Sequence, residues 1–185
     1  MRISKTMLDR GWLWSTILGL VVFAVVGGMD LWLKSLTGVS TTDLQGLSSA
    51  AQFRLAFQAW APEPYAVRAG FDLGLDYLLM PLYAACFFLS SVVVAESFTP
   101  GRSPFRRYVL MAGMVAPIGA LLDAVENGLQ LNMMLNGATD DLARLAYNVS
   151  SAKTVAVTVG GALLIAAIVA KIGMRKARAM PVIEP

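Results

Sequence analysis

Asp123, Glu126 and Asn127 fall inside the apolar stretch GALLDAVENGLQL, residues 119 to 131. A charge in lipid costs several kcal/mol, so such residues gather inside a helix bundle and mark ion, proton or substrate sites. Their spacing of three and four residues, extended one turn by Gln130, sets them on one helix face. Asp72 and Asp76 share a face in the same way, Asp30 lies near the end of another apolar run, and Lys153 sits in a fourth, one turn after Ser150. These residue types can do acid/base work, with one carboxyl holding a proton and a neighbour accepting one. The candidate catalytic set is therefore Asp76, Asp123, Glu126 and Lys153, and the candidate ligand contacts are Asp30, Asp72, Tyr83, Asn127, Gln130, Tyr147 and Ser151.

The chain has no histidine and a single cysteine, Cys86. That excludes Ser-His-Asp and Cys-His catalysis, histidine-ligated metals and an internal disulfide. No metal site and no cofactor are assigned, although carboxylates beside an amide oxygen are hard donors that suit a divalent cation. Asp72-x-x-x-Asp76 with Asp123 also has the look of the carboxylates that hold Mg²⁺ and diphosphate in intramembrane prenyltransferases. A four-helix chain is far smaller than those enzymes, and basic residues for a diphosphate are few.

The elements that must position these groups are transmembrane helices. At 185 residues, 57% hydrophobic content and mean hydropathy +0.63, the chain is a single integral membrane domain, 1–185. Apolar stretches of spanning length run over 12–36, 69–98, 108–135 and 142–172. The expected fold is all-α, a polytopic membrane protein built as an antiparallel four-transmembrane-helix bundle. The apolar run after the charged N-terminus continues through Trp32 and Leu33 without a small-x-small cleavage site, so the first helix is expected to be retained.

The pI of about 9.2 reflects topology and not nucleic acid, because the basic residues collect beside the spans. Arg2, Lys5 and Arg10 precede the first, Arg102, Arg106 and Arg107 separate the second and third, and Lys171, Arg175, Lys176 and Arg178 follow the fourth. Both termini are therefore expected in the cytoplasm and the protein in the cell membrane. The links 99–107 and 136–141 are short and turn-rich. The segment 43–61 carries Ala50, Phe53, Phe57 and Trp60 at helical spacing and reads as an outer interfacial helix between helices 1 and 2, either a lid or a stripe packed on the helix ends.

Counting inward at 1.5 Å per residue puts Asp30, Asp76, Asp123, Glu126 and Lys153 about 9 to 18 Å from the outer helix ends, so all four helices reach a common depth. The expectation is a polar chamber in the outer half, over an apolar inner half. Its five carboxyls exceed Lys153 and Arg68, which leaves carboxyls that must hold a proton or a cation. Pro81 and Pro117 are expected to kink their helices, and Gly27, Gly28, Gly160 and Gly161 to permit close helix contact.

The segments FDLGLDYLLMPLY, LLDAVENGL and YNVSSAKT together resemble an uncharacterised family of small bacterial four-helix integral membrane proteins with a D-x4-P-x-Y, D-x-x-E-N and S-x-K pattern. Asp76, Pro81 and Tyr83, then Asp123, Glu126 and Asn127, then Ser151 and Lys153 occupy those positions over roughly half of the chain. The resemblance implies an architecture and a shared polar site, and no activity. Three functions compete: binding or transforming an amphipathic, lipid-like small molecule; proton- or cation-coupled transport; and a structural role in which the polar groups only clamp helices. The partner expected is membrane lipid or such a small molecule, not nucleic acid.

Overall fold

The computed structural model describes residues 4–62, 64–98 and 104–179, with side chains to Gly173. Arg2, Glu63, Arg102 and Gly101, and the side chains of Arg175, Lys176 and Arg178, lie outside the described residues. Among these residues the chain is all-helical: α1 (Lys5–Thr37), a 3-10 turn (Thr42–Gly46), α2 (Ala50–Trp60), α3 (Tyr65–Glu96), α4 (Pro104–Gly113), α5 (Val115–Asn136) and α6 (Asp140–Ala179). Four stretches are long and apolar enough to cross a membrane: α1, α3, α4 joined to α5, and Asp140–Gly173 of α6.

Two prolines of similar expectation behave differently. α3 runs through Pro81 as one helix, whereas the third span breaks at Met114, between α4 and α5. Pro117 explains the break. It offers no N–H to Gly113, its ring crowds that carbonyl, and the chain answers with a tighter bond from Met114 N to Met111 O at 3.1 Å.

α3 is the central helix, packed on α1, α5 and α6, while α5 packs on α6 along its length. α1 leans on α3 and makes no comparable contact with α5 or α6. The closest approaches occur where a side chain is missing: a Cβ at Gly113 would lie 2.0 Å from Ser91 Oγ, one at Gly119 2.9 Å from Ala156 Cβ, and one at Gly160 2.1 Å from the Phe87 ring. The expectation for the glycines thus holds at Gly160 alone. Gly27, Gly28 and Gly161 have nothing within 4 Å of an added Cβ, because they face away from the helix contacts.

Two apolar clusters close the bundle at its ends. At one end α2 turns Ala50, Phe53, Ala56 and Trp60 onto Leu33, Leu44, Ala69, Met133, Ala143 and Ala146, so the stripe packs on the helix ends. Full burial of Phe53 and Trp60 is worth about 1.5–3 kcal/mol or more each. Polar bonds fix the cap: Trp60 Nε1 donates to Val39 O (3.0 Å), Ala50 N to Asp140 Oδ1 (2.8 Å) and Arg54 to Ala138 O (3.3 Å). At the other end Leu8, Val93, Val94 and Ala167 are buried against Trp12, Leu89 and Val109, and Lys171 pairs with Asp9 across α6 and α1. The polar groups singled out by spacing lie between these two clusters.

Candidate functional site

The central element of the site is Lys153. It stands on the inward face of α6 with Ala143, Ala146, Ser150, Ala156, Gly160 and Ala167, buried positions recurring at helical spacing. Its Nζ donates to Asp123 Oδ1 at 3.0 Å and forms an ion pair with Glu126 Oε2 at 2.6 Å. The reach follows from matched depth on α5 and α6. Asp123 Oδ2 accepts from Tyr83 Oη at 3.0 Å, and Glu126 Oε1 accepts from Gln130 Nε2 at 2.8 Å. One chain of contacts therefore runs from Tyr83 on α3 through Asp123, Lys153 and Glu126 to Gln130.

A second group lies nearer the α2 end. Asp30 Oδ1 accepts from the backbone N–H groups of Thr41 (2.7 Å) and Thr42 (3.2 Å) and from Thr41 Oγ1 (2.6 Å). Thr41 Oγ1 is also 2.9 Å from Asp72 Oδ2, while Asp72 Oδ1 is buried without a partner. Asp76 Oδ2 accepts from Asn127 Nδ2 at 2.8 Å, and the same amide reaches Leu73 O at 3.3 Å.

Both groups open on a cavity of about 640 Å³, within the 300–1,000 Å³ typical of ligand pockets. Asp30, Asp72, Asp76, Tyr83, Asp123, Asn127, Gln130 and Lys153 line it. Three sequence candidates do not. Glu126 is fully buried behind Lys153 and acts on it from outside the cavity wall. Tyr147 and Ser151 are exposed on the outer side of α6, where Ser151 Oγ donates to Tyr147 O at 2.9 Å. They follow Ala146 and Ser150 by one residue, about 100° around the helix from the inward face.

The cavity is longer than the spacing of charges led one to expect. Beyond the carboxylates it continues between α1 and α6 past Gly27, Phe23, Leu20 and Gly19 to Ser15, Thr16 and Cys86. From Asp30 to Ser15 is about 22 Å along a helix. Room exists because α1 stands off α6 and presents Gly19 and Gly27 to the gap. The wall of this stretch is mostly apolar, with Val157 and Leu164 opposite.

Sequence reasoning missed Thr41, Thr42, Ser15 and Thr16. The visible signal for the first two was Gly38, which caps α1 in the left-handed conformation (φ 80°) and turns the chain so that Thr41 and Thr42 fold back over Asp30. Arg68, expected to balance the chamber, instead lies 4.0 Å over the Trp32 ring, and Lys34 pairs with Asp43 at 2.8 Å.

No family model, no curated protein and no solved structure matches the chain. The site's chemistry rests on its own residues.

Proposed function

We propose that this is a multi-pass protein of the cell membrane that binds an amphipathic, lipid-like molecule, with the head at the carboxylates and the tail in the groove between α1 and α6. The observation that carries this reading is the shape of the cavity: polar residues from four helices at one end, a mostly apolar wall continuing past them to the level of Ser15, and a flank where α1 and α6 do not close on each other. Molecules dissolved in the bilayer can enter through such a flank without crossing water. Asp76, Asp123 and Lys153 stand on the cavity wall where acid/base chemistry on the head group would occur, with Glu126 holding the Lys153 ammonium.

The arrangement proposed with it is an antiparallel bundle with both termini cytoplasmic and α2 at the outer surface. The Lys/Arg-rich flanks support that orientation, and the Asp9–Lys171 pair supports α1 and α6 running in opposite directions. Transport is less favoured because the Leu8, Val93 and Ala167 cluster stops the cavity at its far end. A purely structural clamp would account for Asp123, Lys153 and Glu126, and would leave the cavity and Asp72 without a role.

The test is the lipid retained on purification. Gly27 lines the groove and an added Cβ there meets nothing within 4 Å, so Gly27→Leu places its bulk in the groove, and circular dichroism beside the wild type checks that the helices are kept. Mass spectrometry of extracts from the wild-type chain should detect a bound amphiphile that the Gly27→Leu chain lacks. Identical extracts from the two would refute the reading.

A further inference from the structure

Charges at the α2 end of the cavity do not balance. Lys153 is held by Asp123 and Glu126, Lys34 by Asp43, and Arg68 is stacked on Trp32. Among the described residues no lysine or arginine lies within ion-pairing distance of Asp30, Asp72 or Asp76. Yet Asp30 is 8% exposed and Asp72 2%, so water does little to compensate them.

Donors available to the three are also unequal. Asp30 is served by two backbone N–H groups and Thr41. Thr41 has one hydroxyl proton for two carboxyl oxygens at 2.6 and 2.9 Å, so serving Asp30 leaves Asp72 short of a donor. Asp72 Oδ1 has no partner at all although it is buried, and Asp72 lines the cavity. Asp76, one turn along α3 and on the same wall, receives one donor, from Asn127. Asp76 thus keeps acceptor positions free on the cavity wall, beside the enclosed and unbalanced charge of Asp72, at the polar end of an apolar groove.

We infer that the head group bound here is an aliphatic ammonium, seated on Asp76 beside the charge of Asp72, so that the ligand class is a long-chain amine. An ammonium carries three donors and one positive charge. It bonds Asp76 and offsets the excess negative charge of Asp72 and Asp30 beside it. A carboxylate or phosphate head would add negative charge to the cluster, and a hydroxyl head would supply a single donor and no charge. This inference rests on the amphiphile-binding reading above and adds the charge of the head to it.

The test uses three probes of equal chain length, hexadecylamine, hexadecanol and hexadecanoic acid, titrated against the full chain in detergent and read by native mass spectrometry. The amine should bind about tenfold or more tighter than the alcohol, the worth of one charge-assisted contact, and the acid weakest. Asp72→Asn with Asp76→Asn should bring the amine down to the alcohol's affinity and leave the alcohol unchanged; Asp76→Asn alone serves if circular dichroism shows the double variant unfolded. Gly27→Leu should weaken all three. Equal binding of amine and alcohol, both lost in Gly27→Leu, would overturn the ammonium inference, because the carboxyls would then be holding protons, and would leave the amphiphile site standing. If none of the three binds, both readings fail.

Discussion

Lys153 is bound on both sides by carboxylates in a site of 6% residue exposure, and breaking such a set by removing one member costs more than removing all of it. Lys153→Met leaves Asp123 and Glu126 facing each other without a cation, and should destabilise the protein by about 3–5 kcal/mol. Adding Asp123→Asn and Glu126→Gln should recover most of that loss, because the uncompensated charges go too. Thermal unfolding in detergent, single variant beside triple, measures the difference. Singly, Asp123→Asn and Glu126→Gln each leave an amide that can still meet Lys153, and should fold while losing the activity of the site. Full complementation of a deletion phenotype by the Asp123→Asn, Glu126→Gln pair would leave only a structural role for these carboxyls.

Between α5, α6 and α3, packing is set by glycines that sequence inspection cannot tell apart. Gly160→Ala drives a methyl into the Phe87 ring, and that ring packs at a tilt against Tyr83 with centroids 5.7 Å apart. The expected cost is about 1–3 kcal/mol of overpacking, and fluorescence or circular dichroism melts would record it. Gly28→Ala and Gly161→Ala have open space and gain helix propensity of up to about 1 kcal/mol, so their melting temperatures should stay level or rise. In the loop above the site, Asp43 accepts from Lys34 and from Ser40 N. Burial pushes its carboxyl up, but the Lys34 and Ser40 hydrogen bonds outweigh that, and its pKa falls below the ordinary aspartate value. A depressed folded pKa means the loop's stabilisation is present above the ordinary aspartate range and is lost as pH falls through the lower folded value. Hydrogen exchange of residues 40–46 should rise over that acid window in the wild type and show no such step in Asp43→Asn.

For the whole molecule the expectation is orientation. A cysteine at the exposed Asn136 should react with an impermeant maleimide in intact cells, and one at the exposed Ser97 should react only after lysis. The reverse labelling would place the α2 end of the bundle, and with it the carboxylates, toward the cytoplasm.

The sequence by itself determined four spans, because twenty or so apolar residues have no stable place except lipid or a core, and it determined which polar residues share a depth, because a helix advances a constant distance per residue. Asp123, Glu126, Gln130 and Lys153 were legible for that reason. Whether a polar residue faces in or out was less so: Ser150 and Ser151 differ by one position, and only the packing of α6 on α5 and α3 makes the first buried and the second exposed. The tertiary structure alone decided that α1 stands away from α6, that Arg68 turns to Trp32, and that Thr41 folds back onto Asp30. Each depends on contacts between residues far apart in the chain or across a turn, where helical periodicity carries no information and the closest fit of side chains sets the outcome.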